Sequence, residues 1–177
     1  MPSGTSDPTP TSADDPTFAD VESANAAFAG SFEHSDLEAR AAKGLAVLTC
    51  MDSRIDPLRM LGLVPGDAKI LRNAGARVTD DVLRTLVLAH YLLEVDRVMV
   101  VAHTRCAMAA GDQSLVHERI RAAGGPDTRS ISFLTTGDQE ASLREDVQRV
   151  RSWPYLEGTE VGGFLYDLDT GRLRRIS

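Results

Sequence analysis

The chain reads as an α/β protein: a mostly parallel central β-sheet flanked by helices, with a C-terminal hairpin and an N-terminal helical arm. Three observations predict this class. Apolar runs end at residues 50 and 103, the form taken by strands buried on both faces, and residues 68–72 are a shorter strand candidate. Segments of helical periodicity alternate with them, as βαβ units require. The last runs instead flank Asp169-Thr170-Gly171, a hairpin signal.

Each element follows from its residues. Residues 1–17 are rich in Pro, Ser, Thr and Asp and cannot bury enough apolar surface to offset their ordering entropy, so a disordered tail is expected there. Residues 18–177 are expected to form one domain. Phe18 to Ala42 is a helical candidate, with Val21, Ala24, Phe28 and Phe32 on one face and Gly30 as an interruption. Residues 44–50, Gly-Leu-Ala-Val-Leu-Thr-Cys, form the first buried strand. Met51 to Leu61 is a loop or short helix with Pro57 near its first turn, and Pro65-Gly66-Asp67 is a turn. Residues 68–72 are a second strand. Asn73-Ala74-Gly75-Ala76 follows as a small-residue loop that lets backbone approach closely.

Thr79 is an N-cap candidate for a helix whose first turn carries Asp80 and Asp81. Val82, Leu83, Leu86, Val87 and Tyr91 are expected on its buried side. Residues 97–103 form the third strand. Helices are expected at about 113–123 and 138–151, and the hairpin at 163–168 and 172–176.

The formal charge is −7, and it is uneven. Five acids and no base fall in residues 1–22, which leaves 21 acids against 19 bases in the rest. A nearly neutral body without a concentrated basic patch argues against nucleic acid as a partner. No apolar run is long enough for a bilayer, and the N-terminus lacks the basic start and apolar stretch of a signal peptide. A cytoplasmic protein without a membrane partner is expected.

The chemistry concentrates in the chain's two cysteines. Cys50 ends the first strand, and Cys106 follows three residues after His103, which ends the third. In open α/β sheets, ligands bind at the C-terminal strand edge. A disulfide between the cysteines is possible in principle, but the adjacent histidine and the cytosol-like composition favour a metal. Two thiolates and an imidazole suit zinc, and three protein ligands leave a fourth position open, the arrangement of a catalytic site. Two thiolates also cancel the ion's charge and weaken it as a Lewis acid, so neighbouring groups matter more. Asp52 can orient a water there or swing in as a fourth ligand. Arg54 can hold it off the metal by a bidentate pair.

Cys50-Met51-Asp52-Ser53-Arg54, Arg72-Asn73-Ala74-Gly75 and His103-Thr104-Arg105-Cys106 together resemble the β-class carbonic anhydrases. Arg59-Met60-Leu61-Gly62 and Val78-Thr79-Asp80-Asp81-Val82 are similar to the short bacterial members. The likeness covers roughly residues 20–177 and is strongest over 44–108. It implies that Cys50, His103 and Cys106 are zinc ligands. It also implies that Asp52 and Arg54 form the dyad whose aspartate alternates between arginine and zinc. The implied activity is reversible hydration of carbon dioxide to bicarbonate and a proton. The implied assembly is a homodimer or dimer of dimers. Backbone amides near Gly75 are expected to receive a substrate oxygen.

One segment departs from the family pattern. Related short members read His-Thr-Asp-Cys-Gly-Met, whereas this chain reads His103-Thr104-Arg105-Cys106-Ala107-Met108. Arg105 puts a base beside the metal, and Ala107 puts a Cβ where glycine is usual. These changes keep two alternatives open: hydrolysis of carbon disulfide or carbonyl sulfide, and a zinc-stabilised binding protein without turnover. His34, His90 and His117 titrate in the right range for proton shuttles, but nothing in the sequence brings them to the site.

Overall fold

The computed structural model describes residues 17–109 and 111–177. The expected tail at 1–17 lies outside them except for Thr17. The described chain divides into two compact units at Leu37/Glu38. In the first, helix α1 covers Ala19–Ala29, much shorter than the expected span to Ala42. It stops where the Ser31 amide and hydroxyl both bond the Phe28 carbonyl, at 3.0 and 3.1 Å, a local competition typical of serine at a helix end.

The second unit holds the sheet. Strand β1 (Leu45–Cys50) leads through the short helix α2 (Pro57–Leu61) to β2 (Ala68–Asn73). Asp56 caps α2 by accepting the Arg59 amide. Helix α3 (Asp80–Leu92), capped by Thr79, leads to β3 (Arg97–His103). Helices α4 (Gln113–Ala122) and α5 (Gln139–Arg151) precede β4 (Glu160–Tyr166) and β5 (Leu173–Arg175). The order across the sheet is β2-β1-β3-β4-β5. All neighbours are parallel except β4 and β5, which form the expected hairpin.

β1 is buried along its whole length. Ala46 and Leu48 face one core with Leu83, Leu86, Val147 and Val150, and Leu45 and Val47 face another with Val101. The continuous apolar run is thus explained by cover on both faces. β4 starts three residues before the expected Gly163, because Glu160, Val161 and Gly162 pair with Arg97, Val98 and Met99. A Cβ on Gly163 would sit 2.9 Å from Val147 Cγ2, so a glycine that resembled punctuation is where α5 packs on the sheet.

Tyr91 is 64% exposed, contrary to its expected place in the core. It lies five residues past Leu86, about 140° around the helix, whereas Ala89 stays on the buried stripe. Among the described residues no helix is long and apolar enough to cross a membrane.

Candidate metal centre

β1 and β3 are adjacent and parallel, with Thr49 opposite Val101. Cys50 and His103 therefore leave the same edge of the sheet, and the tight turn at Thr104-Arg105 brings Cys106 back beside them. All three are buried. Their sulfur and nitrogen ligand atoms lie within 4.8 Å of one another. The two sulfurs are 4.0 Å apart and both cysteines are free, so there is no disulfide. Zinc–sulfur bonds of about 2.3 Å in a tetrahedron would separate two sulfurs by about 3.8 Å, close to this spacing.

The imidazole provides an independent test of fit. His103 Nδ1 lies 2.9 Å from the Thr104 carbonyl. A carbonyl only accepts, so Nδ1 carries the proton and Nε2 offers a lone pair. Among the described residues, Nε2 is the buried side-chain nitrogen or oxygen without a hydrogen-bond partner. An unsatisfied buried acceptor is costly unless something binds it. Burial holds the His103 pKa down, which keeps the ring neutral and able to ligate. Burial also pushes the Cys106 thiol up, and Cys50 beside it adds to the effect, while the amides of Met108 and Ala109 oppose it. The donor set and the orphaned lone pair together fit a thiophilic dication such as zinc.

Asp52 and Arg54 stand at the rim. Arg54 donates Nε to Asp52 Oδ1 at 2.9 Å and Nη2 to Oδ2 at 2.6 Å, and its amide also reaches Oδ1 at 3.0 Å. These bonds, the side-chain pair first, hold the Asp52 carboxyl well below the usual carboxylate range. Oδ2 lies 3.9 Å from His103 Nε2, so the carboxylate sits next to the ligand set while bound to arginine.

Several residues hold the loop in place. Arg72 donates to the carbonyls of Cys50 and Asp52, at 2.9 and 2.7 Å. Gln139, from α5, donates to the His103 carbonyl at 2.9 Å. Gly75 has φ +81°, and its amide points at Cys50 Sγ, 3.4 Å away. That amide, expected to meet substrate, is given to the sulfur. Nothing in the sequence linked Gln139 to this site, since 36 residues separate it from its acceptor.

The departures resolve in an unforeseen way. Ala107 lies in a 3₁₀ turn and is not among the described residues with positive φ. The left-handed position falls instead on Arg105, at φ +55°. Its guanidinium turns to Asp169, 2.7 Å away, in the β4–β5 turn. The other histidines have structural contacts: His90 Nδ1 lies 2.8 Å from the Val95 carbonyl, His117 Nδ1 lies 2.9 Å from the Thr128 hydroxyl, and the His34 ring meets Phe32. A narrow cleft opens beside the centre, lined by Gly75, Cys106, Met108, Thr136, Gln139 and Asp146 among others.

Comparison with known proteins agrees with this geometry. The carbonic anhydrase family model matches residues 45–173. The β-carbonic anhydrase 1 of Mycobacterium tuberculosis is 33% identical over 138 residues, covering 76% of this chain and 83% of that protein. A carbonic anhydrase structure from Streptococcus mutans superposes with a TM-score of 0.84 at 35% identity, covering 96% of this chain and all of that one. A carbon disulfide hydrolase from an Acidianus species is 47% identical over 64 residues, 36% of this chain and 31% of that protein. With a five-stranded sheet, a Cys-His-Cys cluster at its edge and a family match across both, the chain belongs to the β-carbonic anhydrase family.

Proposed function

We propose that the protein catalyses the zinc-dependent, reversible hydration of carbon dioxide to bicarbonate and a proton. The observation that carries this reading is the unpartnered Nε2 of His103, converging with two cysteine sulfurs and flanked by an arginine-held carboxylate. Cys50, His103 and Cys106 would hold the ion. Zinc bound there would supply Lewis acidity and lower the pKa of a water in the fourth position.

The chain's own groups do the rest. Asp52 is ionised and acceptor-only, so Oδ2 can take a hydrogen bond from the attacking water and aim its lone pair at the carbon. Arg54 fixes the direction of that carboxylate. The Gly75 amide holds the Cys50 sulfur by an N–H···S bond, and the amides of Met108 and Ala109 favour the Cys106 thiolate, which draws off part of the sulfurs' charge. In the reaction one C–O bond forms while the electron pair of one C=O π bond moves onto its oxygen, and one O–H bond of the water breaks as its proton leaves for solvent. Because Asp52 lies so near Nε2, releasing it from Arg54 would let it take the fourth position and close the site. The reading also carries the expected homodimer or dimer of dimers, which sedimentation of the loaded protein would measure.

Stopped-flow hydration at pH 7.5 and pH 9, on protein with one zinc per chain, tests the proposal. Zinc-dependent turnover at either pH supports it, and none at both pH values ends it. The carbon disulfide hydrolase similarity favours a second reading, in which the same centre attacks carbon disulfide or carbonyl sulfide. Turnover of those gases exceeding that of carbon dioxide would select it.

A further inference from the structure

Between His103 and Cys106 the chain has two residues in which to reverse, and it does so with Arg105 in the left-handed region at φ +55°. A residue with a Cβ is disfavoured there. Contacts from the β4–β5 turn oppose relaxation. The Thr104 amide donates to the Tyr166 carbonyl at 2.9 Å, and the Leu168 amide donates to the Thr104 hydroxyl at 3.0 Å. The Arg105 side chain pairs with Asp169 at 2.7 Å. Asp169 is itself fixed, because Asp167 Oδ1 accepts the amides of Asp169 and Thr170. The outcome is a carbonyl with a definite aim: Arg105 O accepts Arg54 Nη2 at 3.2 Å. The same nitrogen holds Asp52 Oδ2.

We propose that the Arg105–Asp169 ion pair is a positioning device, tying the ligand turn to the β4–β5 turn so that the Arg105 carbonyl anchors Arg54 and Arg54 keeps Asp52 off the metal position. This inference rests on the Asp52–Arg54 reading above. The pair is 54% and 65% exposed, so it adds little to global stability. A two-state switch needs only a small differential contact to shift its balance. The base that replaces the family's acid in this segment thus works through its backbone oxygen, and its charge recruits the tether.

Azide binding to the cobalt-substituted protein, followed by visible absorption, reads the open fraction without reference to turnover. Azide takes the fourth position only when Asp52 has left it, so apparent affinity falls with the open population. Asp169→Asn should weaken azide binding by up to about fivefold, the ceiling for an exposed ion pair, with metal content unchanged. Removing a negative charge would by itself tighten anion binding, so the expected sign is opposite to simple electrostatics. The exchanged pair, Arg105→Asp with Asp169→Arg, should restore affinity. In an Asp52→Ala background, Asp169→Asn should no longer weaken binding.

Unchanged or tighter azide binding in Asp169→Asn overturns the proposal. So does loss of metal in step with affinity, which would mark a merely structural role, and so does a weakening that persists without Asp52. Failure of the hydration assay would remove the proposed reaction and leave the azide result standing. Normal hydration beside unchanged azide affinity would remove only this inference.

Discussion

Asp146→Asn probes how the frame of the centre is held. Asp146 is 5% exposed and meets Arg77 Nε at 2.6 Å, and the Arg77 side chain is itself only 17% exposed. Arg77 also donates Nη1 to the Leu134 carbonyl at 2.8 Å. Its backbone exchanges two hydrogen bonds with the Asn73 side chain, at 2.7 and 2.9 Å. The pair therefore ties α5 to the loop that carries Gly75. Removing one partner of a buried pair costs roughly 3–5 kcal/mol. Here Arg77 keeps the Leu134 carbonyl and asparagine keeps one acceptor oxygen, so about 2–3 kcal/mol is expected. In a unit of this size that lowers Tm by about 4–12 °C. Urea unfolding followed by fluorescence of Trp153, which packs against the main core, measures it.

The double variant Arg77→Met, Asp146→Leu sharpens the test. Burial raises the Asp146 pKa despite Arg77 and the Val78 amide, so the site disfavours the charge. Removing both charges should bring stability back to within about 1 kcal/mol of wild type. An Asp146→Asn loss below about 0.5 kcal/mol, the scale of an ordinary surface change, would refute the reasoning. So would a double variant as weak as the single.

The same carboxylate gives a pH signature. Its folded pKa lies above the unfolded value of about 3.9, so the native state holds the proton longer. Its contribution to stability is full below about pH 4 and declines as pH rises through the folded pKa. Urea midpoints across that range should lose this slope in Asp146→Asn. Asp52 has the opposite sign: Arg54 depresses its pKa, so its contribution is present above about pH 4 and is lost as pH falls. Cys50→Ser or Cys106→Ser should reduce bound zinc and lower the melting temperature, because metal binding couples to folding; elemental analysis and thermal scans check both. Gly75→Ala places a Cβ 3.2 Å from Met108 Cβ at φ +81°, so a loss of about 1–3 kcal/mol and weaker zinc retention against a chelator are expected. Asp52→Asn should keep its zinc and lose about 10- to 100-fold in turnover by stopped flow.

The regular elements were legible because their signals are local. Apolar runs marked β1 and β3 to the residue or nearly so, the cap Thr79 marked the start of α3, and the helix expected at about 138–151 is α5 to within a residue. Misreadings arose where a residue has one local meaning and another tertiary one. Gly163 resembled a strand boundary but makes room for Val147 and Leu143. Tyr91 matched an apolar spacing that the α3 stripe does not follow, and Gly30, read only as an interruption within Phe18–Ala42, is where α1 ends for good.

By itself, the sequence determined the α/β class, the Cys-His-Cys donor set and the Asp52–Arg54 pair, because side-chain chemistry and short spacings carry that information. Only the tertiary structure decided that β1 and β3 are neighbours, that His103 presents Nε2 rather than Nδ1, and that the Gly75 amide serves a sulfur. Only it assigned the left-handed turn to Arg105 and gave that residue a partner in Asp169, sixty-four positions away. The physical reason is common to all of these. Hydrogen-bond direction and charge pairing depend on which strands lie side by side, and strand order is set by the packing of the whole sheet.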